Sequence, residues 1–227
     1  MLRRTIKRLK ALRDAGEPDL ATPAGRRAAW RHFHLVDHAW LRLWWTNLGE
    51  VAPGVWRSNQ PDPRRVARYK AMGIRSIISL RGHRRASFTL FEEEACRDHE
   101  IDFRIAHLGA RTLMPRENML EVLDLFEAVE KPFLIHCKSG ADRAGLASAL
   151  YLLAHEGASA ERAKDELSFR YLHLKNSKTG VLGHMLDHYA ADHARDGIGI
   201  RDWLETRYEP EKIQASWDAR RDRRAPA

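Results

Sequence analysis

The segment HCKSGADRAG, residues 136–145, holds the two side chains best suited to chemistry. Cys137 follows a short apolar run, and Arg143 comes six residues later, at the start of an apolar helical pattern. A loop between a strand end and a helix N-terminus directs several backbone N–H groups at one point, where the helix dipole adds positive potential. A thiol placed there favours its thiolate form. We therefore expect Cys137 to be a nucleophile and Arg143 to grip two oxygens of a phosphate.

This segment resembles the signature His-Cys-x5-Arg of the cysteine-dependent protein tyrosine and dual-specificity phosphatases. The resemblance extends over residues 54–156 and includes GVWRSNQPDP and GIRSIISLRG, which are similar to the strand-helix-strand opening of bacterial and fungal members. It implies phosphoryl transfer in two steps, through a cysteinyl-phosphate on Cys137, with no metal and no cofactor. It also implies that Arg143 and the loop N–H groups hold the phosphate oxygens. The substrate-binding loop residues would be Lys138, Ser139, Gly140 and Ala141.

Such a reaction needs a proton donor for the leaving oxygen and a base for the attacking water. Most members of the family use an Asp on a separate upstream loop, but residues 108–117 contain none and Asp102 starts a predicted strand. Asp142 directly precedes the signature arginine, as in myotubularin lipid phosphatases and one bacterial group of tyrosine phosphatases, where this Asp is assigned the acid role. We therefore expect Asp142 to be the general acid and base, with Glu117 in reserve. A helix-capping role also suits Asp142.

Four further positions qualify the resemblance. Ala144 stands where most members have a Ser or Thr that hydrogen-bonds the leaving sulfur, which predicts a slow second step. His136 is expected to orient the loop rather than act as a base. Lys138 is a cation often found in lipid-directed members and favours a substrate with extra negative charge. Arg111, in the loop where the usual acid would lie, is a candidate substrate contact.

The pattern from residue 50 onward predicts an α/β fold, with a central, mostly parallel sheet flanked by helices. Strands are predicted at 55–57, 74–80, 102–108 and 131–137, and helices at 61–73, 88–99, 115–130 and 145–157, followed by three or four helices between 159 and 214. After the second strand, Arg81, Arg84 and Arg85 either line the pocket rim or lie in a solvated loop. We divide the chain into a basic, Trp-rich helical extension (1–49), a phosphatase domain (50–216) and a disordered basic tail (217–227).

The extension is predicted to contain a basic helix at 1–14, a linker at 16–25 and a second helix at 26–48. An aromatic stripe runs along the second helix at helical spacing, formed by Trp30, Phe33, Trp40, Trp44 and Leu48. Such a stripe either packs on the domain or contacts a membrane or partner. Both interpretations stay open.

The formal net charge of +8 is concentrated at the two ends of the chain. Residues 1–49 hold ten Lys and Arg against four Asp and Glu, whereas residues 50–216 hold 25 of each. A neutral domain argues against a nucleic-acid partner, and basic ends fit a partner or membrane surface. We expect a cytoplasmic protein, with peripheral membrane contact through residues 1–49 as an open possibility, since the start of the chain lacks the apolar run of a signal peptide.

Two smaller features receive structural interpretations. With only two cysteines, a disulfide framework is implausible, and Cys96 is assigned to packing. His184 and His188 are four residues apart on a predicted helix, but no further motif supports a metal site there.

The substrate is expected to be a phosphoprotein, with phosphotyrosine favoured, or alternatively a phosphoinositide or other phospholipid. A weakly active phosphate-binding module is a second alternative, which the absent upstream Asp and Ala144 favour.

Overall fold

The structure, a computed structural model, describes residues 18–82 and 85–223. The helix predicted at 1–14 and the predicted rim residue Arg84 lie outside these ranges. Within them, no helix is both long and apolar enough to cross a bilayer.

The described residues form one five-stranded sheet with the strand order β1-β2-β5-β3-β4. The strands are β1 (Gly49–Ala52), β2 (Val55–Asn59), β3 (Ser76–Ser79), β4 (Asp102–Ile105) and β5 (Phe133–Cys137). β2, β5, β3 and β4 pair in parallel, and only the edge strand β1 is antiparallel. The predicted mostly parallel sheet is confirmed. β1 was not predicted, because four residues with an irregular register give too short a pattern.

Helices cover the sheet, as a parallel sheet buried on both faces requires. The α-helices are α1 (Pro23–Arg31), α2 (Pro63–Ala71), α3 (Ser87–Asp98), α4 (Arg116–Ala128), α5 (Asp142–His155), α6 (Ala160–Lys164), α7 (Val181–Asp196), α8 (Ile200–Thr206) and α9 (Pro210–Asp222). β3 and β5 are buried throughout, and so are residues 144–152 of α5. The strand that ends at Cys137 and the helix that begins at Asp142 therefore lie in the centre of the core.

The continuous helix predicted at 26–48 is wrong. After α1 the chain forms a π-helical turn (His32–Val36) and a 3-10 helix (Ala39–Leu43), separated at His38, whose φ is +58°. The break lies beside Asp37, whose buried carboxylate forms ion pairs with Arg42 and Arg81. A buried charge needs such partners.

The aromatic stripe is divided by this break. Phe33 is buried with Phe88 and Phe91 of α3, so the first part docks on the domain. Trp40 and Trp44 stay 47% and 83% exposed. Docking therefore accounts for the stripe only near α1.

The predicted disorder of residues 217–227 is wrong for the part that the structure describes. Helix α9 continues to Asp222, and Trp217 is only 6% exposed. Ile213 and Trp217 lie four residues apart on one face, and both belong to the main core cluster. Because α9 is rich in basic residues, its composition does not indicate this short apolar stripe.

Candidate active site

The signature loop, residues 137–143, connects the end of β5 to the start of α5. Cys137 is only 1% exposed at the last position of β5, and α5 begins five residues later. Gly140 has a φ of +72°, and a Cβ there would lie 2.7 Å from the backbone nitrogen of Asn59. Only glycine fits both constraints. The loop therefore turns tightly against the end of β2, which pairs in parallel with β5.

Four successive carbonyl oxygens of the signature loop accept hydrogen bonds from outside it. The backbone N–H of Gln60 donates to the Lys138 oxygen (3.3 Å), and the Asn47 side chain donates to the Ser139 oxygen (3.1 Å). The Arg57 guanidinium donates to the carbonyl oxygens of Gly140 (2.6 Å) and Ala141 (3.2 Å). In a planar trans peptide the N–H points opposite to the C=O. The N–H groups that share these peptides are therefore directed away from the carbonyl partners, as in an anion-binding nest. One of them, the N–H of Ala141, lies 3.4 Å from the Ser139 hydroxyl.

Arg57 is the main support of this geometry. It is fully buried in β2, and its guanidinium pairs with Glu166 at 2.7 Å and lies 3.7 Å from the ring centroid of Tyr171. The buried charge is thus matched by a carboxylate, an aromatic face and two loop carbonyls. Such an arrangement fixes the loop because a loop carbonyl that moved away would leave buried guanidinium donors without an acceptor.

Arg143 lies in the first turn of α5, close to the carbonyl oxygen of Leu80 (3.4 Å from Nη1). Its Nε is buried and has no hydrogen-bond partner within residues 18–82 and 85–223. No carboxylate of the described chain pairs with its guanidinium. Most of its donors are therefore left to bind an anion at the loop.

Asp142 does not cap α5. Ala141 occupies the N-cap position, and no side chain within the described ranges caps this helix. Instead, Oδ1 of Asp142 lies 2.8 Å from Nδ1 of His173, a side chain that is only 1% exposed. The Asp142 carboxyl is 21% exposed, so one side of it is held by the protein and the other can reach solvent or a substrate.

A buried polar chain connects His136 to the extension. Nε2 of His136 lies 2.8 Å from Glu92, and Glu92 accepts a hydrogen bond from Gln60 at 2.7 Å. Gln60 in turn accepts from Arg81, and Arg81 pairs with Asp37 at 2.6 Å. Arg81 is therefore neither a pocket-rim residue nor part of a solvated loop, as the sequence had suggested, but a buried link. The other ring nitrogen of His136, Nδ1, lies 3.4 Å from the carbonyl oxygen of Cys137, and the orienting role of His136 stays a prediction.

Asp37 brings the extension into the site. Its carboxylate pairs with Arg42 and Arg81, and it lies 3.4 Å from Nζ of Lys138 in the signature loop. Burial by itself raises the pKa of Asp37, but the hydrogen bond from Arg81 and the three cations outweigh it and lower the pKa to about 2. Lys138 is 39% exposed and keeps part of its surface for a ligand.

Two predicted site residues outside the signature loop, Arg111 and Glu117, lie apart from this arrangement. Arg111 and Glu117 are exposed. Arg111 lies in the segment before α4 and Glu117 in its first turn, and none of the contacts within the described ranges joins Arg111 to the signature loop.

The Ser139 hydroxyl accepts a hydrogen bond from the N–H of Ala141 at 3.4 Å. Cys96 is buried, and burial together with nearby acidic side chains raises the pKa of its thiol, which agrees with a packing role.

His184 and His188 contact each other, with Nε2 atoms 3.3 Å apart, and His184 also bonds the Ser216 hydroxyl. No third His, Cys, Asp or Glu joins them to form a metal-binding group in the part of the chain that the structure describes.

Sequence reasoning missed the residues that support the loop: Asp37, Asn47, Arg57, Gln60, Glu92, Glu166 and His173. Most carry charge, and charged side chains are normally assigned to the surface. Arg57 alone left a signal, since it is a charged residue at the end of the short strand predicted at 55–57.

Fold and site together define a domain of the dual-specificity and protein-tyrosine phosphatase class. Residues 54–182, more than half of the chain, match the PTP-SAK family model, described as a Swiss Army Knife protein with a DSP-PTPase phosphatase domain. The chain belongs to this family.

Among curated proteins, the dual specificity protein phosphatase TpbA of Pseudomonas aeruginosa is 25% identical over 149 residues. The matched region is 64% of this chain and 61% of TpbA, so the chain spans about three fifths of the length of the curated relatives it matches.

Solved structures share the fold. The crystal structure of P. aeruginosa TpbA has a TM-score of 0.51 at 17% identity and covers 76% of this chain and 91% of the solved chain. A Cys-to-Ser form of TpbA in complex with pTyr gives 0.51 at 20% identity, with 66% and 96% covered. A mutant form of Tk-PTP gives 0.52 at 19% identity, with 65% and 97% covered. At these identities the likeness establishes the fold alone.

Proposed function

We propose that this chain hydrolyses phosphomonoesters through a cysteinyl-phosphate on Cys137. The observation that carries the proposal is the outward bonding of four successive loop carbonyls, which turns the loop N–H groups toward the space at the end of β5. A trianionic transition state needs such preorganised donors where its charge develops. Arg143 adds a guanidinium at the same loop, which can donate hydrogen bonds to two phosphate oxygens at once.

In the proposed first step, the Cys137 thiolate attacks phosphorus in line with the leaving oxygen. The S–P bond forms, the P–O bond breaks, and Asp142 gives its proton to the leaving oxygen. In the second step, water attacks phosphorus and gives a proton to Asp142, and the S–P bond breaks to release inorganic phosphate and the thiolate. Ala144 is fully buried and has no hydroxyl to assist the leaving sulfur, so we expect the second step to be the slower one.

For the substrate, we propose a phosphoprotein, with phosphotyrosine favoured. The family assignment supports a phosphatase of the dual-specificity type, and one structural neighbour holds pTyr. A phosphoinositide or another phospholipid is the alternative, and Lys138 favours it because it adds a partly exposed cation within the signature loop. Lys138 could meet a second anionic group on such a substrate.

The experiment is one panel of phosphotyrosyl peptides, phosphoseryl peptides and phosphoinositides, assayed with the full chain for phosphate release. Cys137→Ser should abolish turnover while keeping the protein folded, and vanadate should inhibit the wild type. If vanadate and Cys137→Ser leave hydrolysis unchanged, the nucleophile is wrong. Binding of phosphate without turnover of any substrate would favour the weakly active binding module instead.

We also propose that a cytoplasmic form of this protein contacts anionic membranes through the extension. The observation that favours this is a run of exposed apolar side chains between helix α1 and strand β1. The basic excess of the extension precedes this run in the sequence, within residues 1–31. Trp40, Leu41, Leu43 and Trp44 are all at least 47% exposed. Tryptophan and basic residues together are typical of helices that lie at a bilayer surface.

Sedimentation with vesicles tests this contact. The full chain should pellet with vesicles rich in phosphatidylserine, and Trp44→Ala should reduce the bound fraction several-fold. Met72→Ala is the matched control, because Met72 is also an exposed apolar residue, 44% exposed, but lies at the end of α2. Equal binding to neutral vesicles, or equal loss in both variants, would contradict the proposed contact.

A further inference from the structure

His173 is a buried side chain that faces the candidate acid. It follows a short helical turn, residues 169–171, and is 1% exposed. Its backbone N–H donates to the Ser168 carbonyl, and its Nδ1 lies 2.8 Å from Oδ1 of Asp142. Its Nε2 is buried and has no hydrogen-bond partner among residues 18–82 and 85–223. The imidazole therefore has one polar contact there, and that contact is Asp142.

Packing alone does not explain this arrangement. A buried nitrogen without a partner is unfavourable, and a leucine of similar size would avoid it. An imidazole at this position is therefore best explained by what its Nδ1 does. A hydrogen bond from Nδ1 to the carboxyl fixes the rotation of the Asp142 side chain and occupies one of its two oxygens.

We propose that His173 is a positioning residue for Asp142, an inference that rests on the proposed function. Nδ1–H of His173 holds Oδ1 of Asp142, so that Oδ2 carries the proton that moves. In the first step the proton passes from Oδ2 to the leaving oxygen, and in the second a proton from water returns to Oδ2. His173 keeps its own proton throughout, in the same way that an orienting partner fixes a catalytic group in other hydrolases.

Three substitutions of His173 separate this role from packing. His173→Asn keeps an N–H donor near the position of Nδ1. His173→Gln places its amide near the position of Nε2 instead, and His173→Leu keeps the volume without any donor. Thermal unfolding of each variant shows which variants fold. If His173→Leu does not fold, His173→Gln replaces it as the variant without a donor at the position of Nδ1.

The readout is kcat/KM for a series of aryl and alkyl phosphates with increasingly poor leaving groups. General acid catalysis contributes most for poor leaving groups, so Asp142→Asn should lower their turnover by about 100-fold or more, with little effect on activated ones. His173→Leu and His173→Gln should lower poor-substrate turnover by about tenfold and activated-substrate turnover by less than about twofold. His173→Asn should restore most of the loss.

The double variant Asp142→Asn/His173→Gln adds a second measure. If His173 acts through Asp142, the double variant should be no slower than Asp142→Asn alone. Equal losses for good and poor leaving groups in His173→Gln, or no rescue by His173→Asn, would overturn the positioning role. If Asp142→Asn itself shows no dependence on the leaving group, the proposed acid fails instead, which distinguishes the two outcomes.

Discussion

The side-chain amide of Asn47 donates a hydrogen bond to the carbonyl oxygen of Ser139, at 3.1 Å. The same nitrogen donates to the carbonyl oxygen of Tyr171 at 3.0 Å. One side chain from the segment before β1 therefore ties the signature loop to the turn that carries His173. The boundary predicted at residue 49 separates Asn47 from residues that it directly supports, so the last part of the extension belongs to the site.

We expect Asn47→Ala to lower kcat/KM by about fivefold, because losing one hydrogen bond to the loop removes about 1 kcal/mol of the restraint on its geometry. Steady-state kinetics with an aryl phosphate measures the change. Asn118→Ala, in the first turn of α4, is the matched control and should leave kcat/KM within about twofold. An unchanged rate in Asn47→Ala would mean that the loop holds its shape without the extension.

Gly140→Ala should abolish activity. Its φ of +72° strains any residue with a side chain, and its added Cβ would meet the Asn59 backbone nitrogen at 2.7 Å. The loop must then shift away from its outward hydrogen bonds. Gly73→Ala is the control for the φ strain alone, since its φ is +88° and its Cβ would meet nothing within 4 Å. Gly73→Ala should cost about 1–2 kcal/mol of stability and keep kcat/KM. Similar kinetics in the two variants would contradict the role of the close approach.

Arg57→Met should be among the most destabilising single changes in this chain. It leaves Glu166 without its buried partner and two loop carbonyls without their donor, so we expect the free energy of unfolding to fall by about 3–5 kcal/mol. Urea unfolding followed by circular dichroism measures it. Arg201→Met removes exposed ion pairs with Asp124 and Glu127 and should cost less than about 1 kcal/mol. Comparable losses of unfolding free energy in the two variants would show that burial does not make the Arg57–Glu166 pair more important for stability than the exposed pairs.

The fold was predictable because its pattern is local. Buried parallel strands such as β3 and β5 are short, continuous apolar runs, and the helices between them carry amphipathic spacing. The position of Cys137 between a strand and a helix followed from the same pattern. The extension was harder, because the interruption at His38 depends on where Asp37 finds its partners, and those come from strands and loops far along the chain.

The supporting residues could not be predicted for a related reason. Glu92 is one of three consecutive glutamates in α3, and nothing in the sequence distinguishes it from its neighbours. It is buried because it faces His136 and Gln60 across the core. His173 lies in a segment without regular periodicity, and only the three-dimensional contact with Asp142 reveals it. Long-range pairing of polar side chains leaves no signature in hydrophobic periodicity.

Asp37 should make the stability of this protein depend on pH in the acidic range. Its pKa is about 2 in the folded chain and 3.8 in an unstructured one, so the folded state favours the carboxylate. The stabilisation, about 2 kcal/mol, is complete above about pH 5 and is lost as pH falls toward 2. The free energy of unfolding should therefore fall more steeply between pH 5 and pH 2 in the wild type than in Asp37→Asn, as measured by urea titrations at each pH. Asp98→Asn is the control, because Asp98 is 62% exposed, and its curve should run parallel to the wild type. Parallel curves for Asp37→Asn as well would mean that the charge of Asp37 does not hold the extension to Arg81 and Lys138.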